Sequence, residues 1–249
     1  KFLYPPEKRL WAASRKGGAF ALETDGAAPP RYAFIGVRSC ELAALATLDK
    51  VLGAGDYADA DYKKMREAAF IVAVQCGRAN STCFCVSMKT GPRATAGFDL
   101  ALTEVIEGGR HYFVVETGTE RGAAVLGQTP AREAKPEEAA AADRRLAAVE
   151  GQMGRSLDTE GLPELLARNF ENPHWEEVAK RCLSCANCTL VCPTCFCHTV
   201  EDSTDLSGTR GERRRKWDSC FNLDFSYIHG GAVRQSTQSR YRQRMTHKL

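Results

Sequence analysis

Cysteine is the residue type whose number and spacing point to chemistry in this chain. The 249 residues include 11 cysteines, and six of them lie within a stretch of sixteen: Cys182, Cys185, Cys188, Cys192, Cys195 and Cys197. Cysteines two or three residues apart are poorly placed to form disulfides with each other, but they are well placed to bind one metal centre. An odd cysteine count in a chain of this length also argues against a disulfide framework, which belongs mainly to short secreted domains. The sequence therefore predicts thiolate–metal chemistry in a reducing compartment.

The first four of these cysteines are separated by two, two and three residues, and Pro193 follows the fourth. This C-x2-C-x2-C-x3-C-P spacing is that of bacterial ferredoxins, whose thiolates hold [4Fe–4S] clusters. The short spacers let a tight loop direct three thiolates to one cluster, while the fourth points toward a second cluster. Zinc sites usually contain two separated C-x2-C pairs instead. We therefore expect an iron–sulfur site on Cys182, Cys185, Cys188 and Cys192.

A second group of cysteines follows two predicted strands in the first half of the chain. The apolar run 68–75 predicts a buried strand that ends at Cys76, and Cys40 follows the strand predicted at 31–38. Because the carboxyl ends of parallel strands meet at one edge of a sheet, where ligand sites are common, the thiolates would converge there. We expect a further [4Fe–4S] cluster, with zinc or a free, core-packed Cys40 as alternatives, on Cys40, Cys76, Cys83 and Cys85.

Three cysteines have no settled assignment: Cys195, Cys197 and Cys220. The tetrapeptide Thr-Cys-Phe-Cys occurs twice, at 82–85 and 194–197, so Cys192 would complete a second set of four with these three. In two-cluster ferredoxins, however, the cysteine before proline binds the cluster of another C-x2-C-x2-C motif. The sequence leaves both assignments open, and His198 is a candidate substitute ligand.

Alternating strand and helix patterns before residue 160 predict an α/β layer structure. The predicted strands are 31–38, 68–75 and 111–117, and the predicted helices are 41–52, 59–67, 120–126 and 129–153, the last as an exposed connector. Two short helices, 162–169 and 173–181, lead into the cysteine-rich region, and the polar segment 203–216 predicts a loop. We therefore expect an α+β chain with an N-terminal α/β domain (1–160), followed by a mainly helical, ferredoxin-like iron–sulfur domain (161–249) that continues beyond Leu249.

Composition excludes several other classes of protein. With 43% hydrophobic and 26% charged residues the chain is globular, and its net charge of +3 gives no case for nucleic-acid binding. Apolar runs are far shorter than the ~18 to 20 residues that a membrane span needs. No nucleotide-binding loop and no nucleophile with an evident base is present. The C-terminal basic residues indicate a solvated face or a docking surface for an acidic partner, and they include Arg234, Arg240, Arg242, Arg244 and Lys248.

Four separated segments resemble one protein family along almost the whole chain. They read GVRSCELAALATLD, CGRANSTCFCVSMKTGP, RCLSCANCTLVCPTCFCHTVED and WDSCFNLDFSYIHGGAVRQS, at residues 36–49, 76–92, 181–202 and 217–236. The family comprises the iron–sulfur beta subunits of cytoplasmic NAD(P)-linked [NiFe] hydrogenases, or sulfhydrogenases, and the related iron–sulfur subunit of anaerobic sulfite reductase. Its members usually continue to a second C-x2-C-x2-C-x3-C-P motif, so the resemblance implies that some ligands lie beyond the residues shown.

The resemblance implies a non-catalytic electron-transfer subunit in the cytoplasm. Such a subunit carries two or more [4Fe–4S] clusters beside a flavin subunit that exchanges hydride with NAD(P)H, and its catalytic partner is a [NiFe] hydrogenase subunit or a sirohaem sulfite reductase subunit. A hydrogenase subunit is the preferred interpretation, the iron–sulfur subunit of an anaerobic sulfite reductase is the second, and a zinc-stabilised binding module without a redox role is an alternative of another class. The ferredoxin run, Cys182, Cys185, Cys188 and Cys192, matches the first cluster motif of the family. The resemblance assigns the family's other cysteine motifs to Cys76, Cys83, Cys85, Cys195, Cys197 and Cys220.

Overall fold

The computed structural model describes residues 1–23 and 28–249, which divide into two compact units. The continuous unit is Pro29–Thr159, and the split unit combines Lys1–Ala28 with Glu160–Leu249. One division between the units falls between residues 159 and 160, whereas the sequence patterns assign everything before residue 160 to one domain. In the structure the first strand, β1 (Glu7–Lys16), instead pairs with β8 (Arg210–Trp217), which joins the beginning of the chain to its last third.

The continuous unit is built on a four-stranded sheet with the order β3-β4-β5-β6. Strands β3 and β4 are parallel, as the strand and helix patterns predict. Strand β5, which those patterns do not predict, is antiparallel to β6 and joins it through Gly108 and Gly109, whose positive φ angles suit a tight hairpin turn. The elements are β3 (Ala33–Val37), α1 (Ser39–Leu52), α2 (Ala60–Ala68), β4 (Phe70–Val74), β5 (Leu100–Glu107), β6 (Arg110–Thr117), α3 (Glu120–Leu126) and α4 (Pro136–Glu150).

An apolar core between α1 and the sheet holds strand β4 in place. Ile71 and Ala73 of β4 are fully buried and pack with Leu42 of α1. Their neighbours along β4 are only half-buried, so one face of this strand is packed more tightly than the other, whereas the apolar run suggests two equal faces. Because β3 and β4 run in the same direction, Cys40 and Cys76 follow them at the same edge of the sheet.

Helix α4 is not the exposed connector that the sequence predicts. It begins at Pro136, and its buried stripe includes Ala141, Ala142, Leu146 and Val149. The two alanines pack against Val105 of β5. The prediction is wrong because alanine contributes little to a hydrophobic pattern, yet a stripe of alanines at helical spacing is small enough to lie close against a sheet.

Glu138 holds the first turn of α4 through several hydrogen bonds, and its side chain is 4% exposed. Its carboxylate accepts from the Arg132 guanidinium at 2.7 and 2.9 Å, from the Lys135 backbone N–H at 3.0 Å and from Arg110 at 3.3 Å. The hydrogen bond from Arg132, with the others, lowers the pKa of Glu138 to about 2. The ionised carboxylate therefore stabilises the fold above its ordinary pKa, and this contribution is lost as the pH falls toward 2.

We expect a Glu138→Gln variant to be less stable at neutral pH and to lose less stability on acidification than the parent. Glutamine keeps the shape of the side chain but cannot supply the charge that gives the parent its pH dependence. Urea unfolding between pH 7 and pH 3 measures this difference. Glu137→Gln, at the exposed neighbouring position, is the matched control and should follow the parent. Parallel pH profiles for the parent and Glu138→Gln would contradict the assignment.

The split unit combines helices with an antiparallel sheet of order β2-β1-β8-β7. The mainly helical domain expected for 161–249 therefore contains two strands of this sheet, and the chain as a whole is α+β. The further elements are β2 (Ala19–Glu23), α5 (Leu162–Arg168), α6 (His174–Lys180), α7 (Asn187–Val191), β7 (His198–Thr204), a short hairpin of β9 (Tyr227–Ile228) and β10 (Gly231–Ala232), and α8 (Thr237–Lys248).

The loop predicted at 203–216 is wrong, because most of this segment belongs to β7 and β8. Opposite charges face each other across the strands: Arg213 pairs with Asp202 at 2.6 Å, and Lys216 pairs with Glu201 at 2.6 Å. Such cross-strand pairs stabilise an antiparallel sheet. A polar segment can therefore form strands here without the hydrophobic alternation on which the prediction depends.

Candidate iron–sulfur sites

Four cysteines of the continuous unit line one cavity of about 620 Å³, which we call the Cys76 cavity. Cys40 lies in the first turn of α1, and Cys76 follows the end of β4. Cys83 and Cys85 come from the loop after Cys76. The sequence analysis groups these four cysteines because they follow predicted strands. The sheet topology brings all four together, including Cys40.

Hydrogen-bond donors accompany the thiols of the Cys76 cavity. The Asn80 backbone N–H donates to Cys83 Sγ over 3.3 Å. Ser39 also lines the cavity, and its buried hydroxyl has no hydrogen-bond partner within residues 1–23 and 28–249. A Cβ at Gly91 would collide with that hydroxyl and lie 3.2 Å from Cys85 Sγ, so glycine leaves room for these two side chains. Donors of this kind tune the potentials of iron–sulfur clusters by hydrogen bonding to sulfur.

The charges in the Cys76 cavity suit a metal centre. Burial raises the pKa values of the Cys76 and Cys85 thiols, and the neighbouring cysteines raise them further. Thiols crowded in this way resist ionisation by themselves, but a coordinating thiol is deprotonated by its metal. Arg38 and Arg78 add positive charge to the lining. The donor set therefore fits an iron–sulfur cluster held by four thiolates.

In the split unit, Cys182, Cys185 and Cys188 line a cavity of about 650 Å³, which we call the Cys185 cavity. The loop that carries them turns tightly because Ser184 and Ala186 adopt left-handed φ angles of 51° and 60°. The Ser184 backbone N–H donates to Cys182 Sγ over 3.4 Å. Three thiols thus line one cavity and one of them accepts from a backbone amide, while the cluster expected from the C-x2-C-x2-C spacing stays a prediction.

Cys192 does not line the Cys185 cavity. Its thiol lies close to the thiol of Cys195, and the thiol of Cys197 lies close to that of Cys220. We call these four residues the Cys195 group. In each pair the interaction between the thiols lowers the pKa of one, Cys192 or Cys197, and raises that of its partner. The thiolate is the form that binds metals. The structure places Cys192 beside Cys195 and not in the lining of the Cys185 cavity, and the choice between the two ligand assignments stays a prediction.

Two basic residues of α8 face the Cys195 group. Arg244 donates to Cys195 Sγ over 3.3 Å. Lys248 donates to the Thr194 hydroxyl over 2.8 Å, and that hydroxyl lies 3.2 Å from Cys192 Sγ. These two side chains are half-buried, and the solvated face or docking surface predicted for the C-terminal basic residues stays a prediction. Their spacing of four residues on one helix is the signal that could have shown a common direction.

His198 has polar partners other than the cysteines. Its Nδ1 lies 3.0 Å from the Tyr4 hydroxyl and 3.2 Å from the Phe196 carbonyl oxygen. Over the described ranges, no three His, Cys, Asp or Glu side chains converge closely enough to hold a single metal ion.

The chain is similar to an iron–sulfur domain family and to a known hydrogenase subunit. The model of the 4Fe-4S dicluster domain family matches residues 181–249, the stretch that contains the Cys185 cavity and the Cys195 group. The chain is 32% identical to sulfhydrogenase 2 subunit beta of Pyrococcus furiosus over 255 residues, an alignment that covers 98% of this chain and 70% of that protein. No solved structure matches the chain. The described residues include no helix long and apolar enough to cross a membrane. The chain therefore belongs to the family of sulfhydrogenase beta subunits, and it is an electron-transfer protein that carries [4Fe–4S] clusters.

Proposed function

We propose that this chain relays electrons between a flavin subunit that exchanges hydride with NAD(P)H and the catalytic [NiFe] subunit of a cytoplasmic hydrogenase. The main support is the gathering of all 11 cysteines into three groups. The similarity to a sulfhydrogenase beta subunit favours a hydrogenase complex over a sulfite reductase. Bound clusters supply one-electron transfer, and the residues of this chain hold them and set their potentials.

Each group of cysteines has a separate role in this proposal. The Cys76 cavity supplies four ligands to one cluster, and the Cys195 group supplies four ligands to another. The Cys185 cavity supplies three ligands to a third cluster. Its fourth ligand comes from outside the ferredoxin run, because Cys192 pairs with Cys195.

We expect anaerobically purified protein to be brown and to contain iron and acid-labile sulfide in equal amounts. Dithionite reduction should give the electron paramagnetic resonance (EPR) signals of reduced [4Fe–4S] clusters. Cys185→Ser and Cys197→Ser should each change a different signal, because the two residues belong to different groups. Colourless protein that contains only zinc would overturn the redox function. Identical spectral changes in the two variants would overturn the assignment of separate clusters.

The partner subunits are tested by affinity purification of the tagged chain from its own organism under anaerobic conditions. The expected result is co-purification with both flavin-containing and [NiFe] subunits. Recovery of a sirohaem protein instead would assign the chain to an anaerobic sulfite reductase and overturn the hydrogenase relay.

A further inference from the structure

Arg244 of α8 forms hydrogen bonds with both cysteine regions of the split unit. Its Nη1 lies 3.3 Å from Cys195 Sγ, and its Nη2 donates to the Cys188 carbonyl oxygen over 2.8 Å. Nη1 also contacts the hydroxyl of the buried Thr189 at 3.3 Å. The same guanidinium lines the Cys185 cavity. A permanent positive charge therefore lies beside both cysteine groups, and its hydrogen bond to sulfur goes to the Cys195 group.

A donor to a ligand sulfur changes the energy of electron transfer. Reduction adds one electron to a cluster, so its negative charge increases while its ligands stay the same. A guanidinium that is always protonated and hydrogen-bonded to a ligand sulfur stabilises that additional charge, and hydrogen bonds to sulfur are among the factors that set cluster potentials. The reduced form gains more than the oxidised form, so the potential rises.

The hydrogen bonds around the two cysteine groups also favour reduction of a cluster on the Cys195 group. The Cys195 group has Arg244 on one sulfur, and Lys248 approaches another through the Thr194 hydroxyl. In the Cys185 cavity, whose lining also includes Arg181 and Arg244, the hydrogen bond to Cys182 Sγ comes from a neutral backbone amide. Charge-assisted hydrogen bonds are about twice as strong as neutral ones, so the Cys195 group is the better environment for an added electron.

We propose that Arg244 is a positioning residue that raises the reduction potential of the cluster on the Cys195 group, which makes that cluster the electron acceptor of the pair. This inference rests on the proposed ligand groups. It adds a direction to the relay: an electron that arrives at the Cys185 cavity moves downhill to the Cys195 group.

The test is an anaerobic redox titration with dithionite as the electron donor, followed by EPR. We expect Arg244→Gln to retain its iron and to reduce the equilibrium constant for one-electron reduction of one cluster about tenfold, a shift of about 59 mV to more negative potential. Arg244→Lys, which restores the charge but not the fork of donors, should lie between Arg244→Gln and the parent. The shifted signal should be the one that Cys197→Ser changes.

Arg242→Gln is the matched control on the same helix. Arg242 donates to the Phe170 carbonyl oxygen at 2.7 Å and pairs with Glu171, so its loss also removes packing and hydrogen bonds, but none to a cysteine. The control should leave both potentials unchanged. Equal shifts in the control and Arg244→Gln, or no shift in Arg244→Gln at full iron content, would overturn the proposal. So would iron loss from both Arg244 variants, which would show a purely structural role. Parent protein without [4Fe–4S] signals would contradict the proposed function itself.

Discussion

Serine in place of Cys76 is expected to remove about four iron atoms per chain, the content of one [4Fe–4S] cluster. Cys76 follows β4, a strand fixed by the core through Ile71 and Ala73. It lines the same cavity as Cys40 and Cys85. A hydroxyl at this position is a poor ligand for iron, and the rigid strand leaves no freedom for another thiol to replace it. Iron and sulfide analysis of anaerobic protein measures the loss.

The control for this prediction is Ser81→Ala, an exposed position in the loop between Cys76 and Cys83. Its iron content should equal that of the parent. Cys40→Ser tests the cysteine whose role the sequence leaves most open, and it should cause the same loss as Cys76→Ser. Full iron in Cys76→Ser would show that these thiols are ordinary lining residues. The EPR signals of the Cys185 cavity and the Cys195 group should persist in both cysteine variants.

Alanine in place of Asp99 is expected to destabilise the continuous unit by roughly 2–5 kcal/mol, since each buried donor left without an acceptor costs about 1–3 kcal/mol. The side chain of Asp99 is 3% exposed. Its carboxylate accepts from the Ile71 backbone N–H at 2.8 Å, from the Thr119 hydroxyl at 2.6 Å and from Arg121 at 3.1 Å. Asp99 directly precedes β5, and its side chain connects β4 to the start of α3. Urea unfolding at neutral pH measures the loss.

The pKa of Asp99 gives this prediction a pH dependence. Burial acts to raise the pKa, but the hydrogen bonds from Thr119 and Ile71, together with Arg121, outweigh it and hold the pKa below its usual value. The stability that the carboxylate contributes is therefore present at neutral pH and is lost on acidification. The difference between the parent and Asp99→Ala should shrink as the pH falls.

The matched control for Asp99 is Glu107→Ala. Glu107 makes an exposed ion pair with Arg144 at 3.5 Å, and such surface pairs contribute about 0–1 kcal/mol. Equal unfolding midpoints for the parent and Asp99→Ala would contradict the prediction. They would show that water accepts the hydrogen bonds that Ile71, Thr119 and Arg121 donate to Asp99 in the parent.

The part of the fold that could be predicted from sequence is the part whose hydrophobic pattern is local. The strand at 31–38, the helix at 41–52 and the strand at 68–75 all have counterparts in the structure, and their parallel pairing accounts for the convergence of Cys40 and Cys76. Strands β7 and β8 were missed because long-range charge pairs hold them together. The packing of α4 was not predicted because the alanines on its buried face contribute little to a hydrophobic pattern.

The candidate sites show the same division between local and distant information. The three-cysteine loop of the Cys185 cavity follows from its spacing, because its geometry is contained in a few residues. The Cys195 group includes Cys220, which is buried and lies beyond the whole β7–β8 hairpin. Spacing alone therefore leaves the choice for Cys192 open, and the role of Arg244 depends on the direction of a helix that begins at Thr237.

The pairing of β1 with β8 also determines when each part of the molecule can form during synthesis. The continuous unit is complete once residue 159 has left the ribosome, and domains generally fold as units during translation. Strand β1 is made before that unit but pairs with Arg210–Trp217, so it waits for about two hundred residues before its partner emerges. Its sheet includes β7, which begins directly after Cys197. With the proposed ligand groups, we therefore expect iron insertion into the Cys195 group to be a late event, and we expect the Cys76 cavity to form while the rest of the chain is still being made.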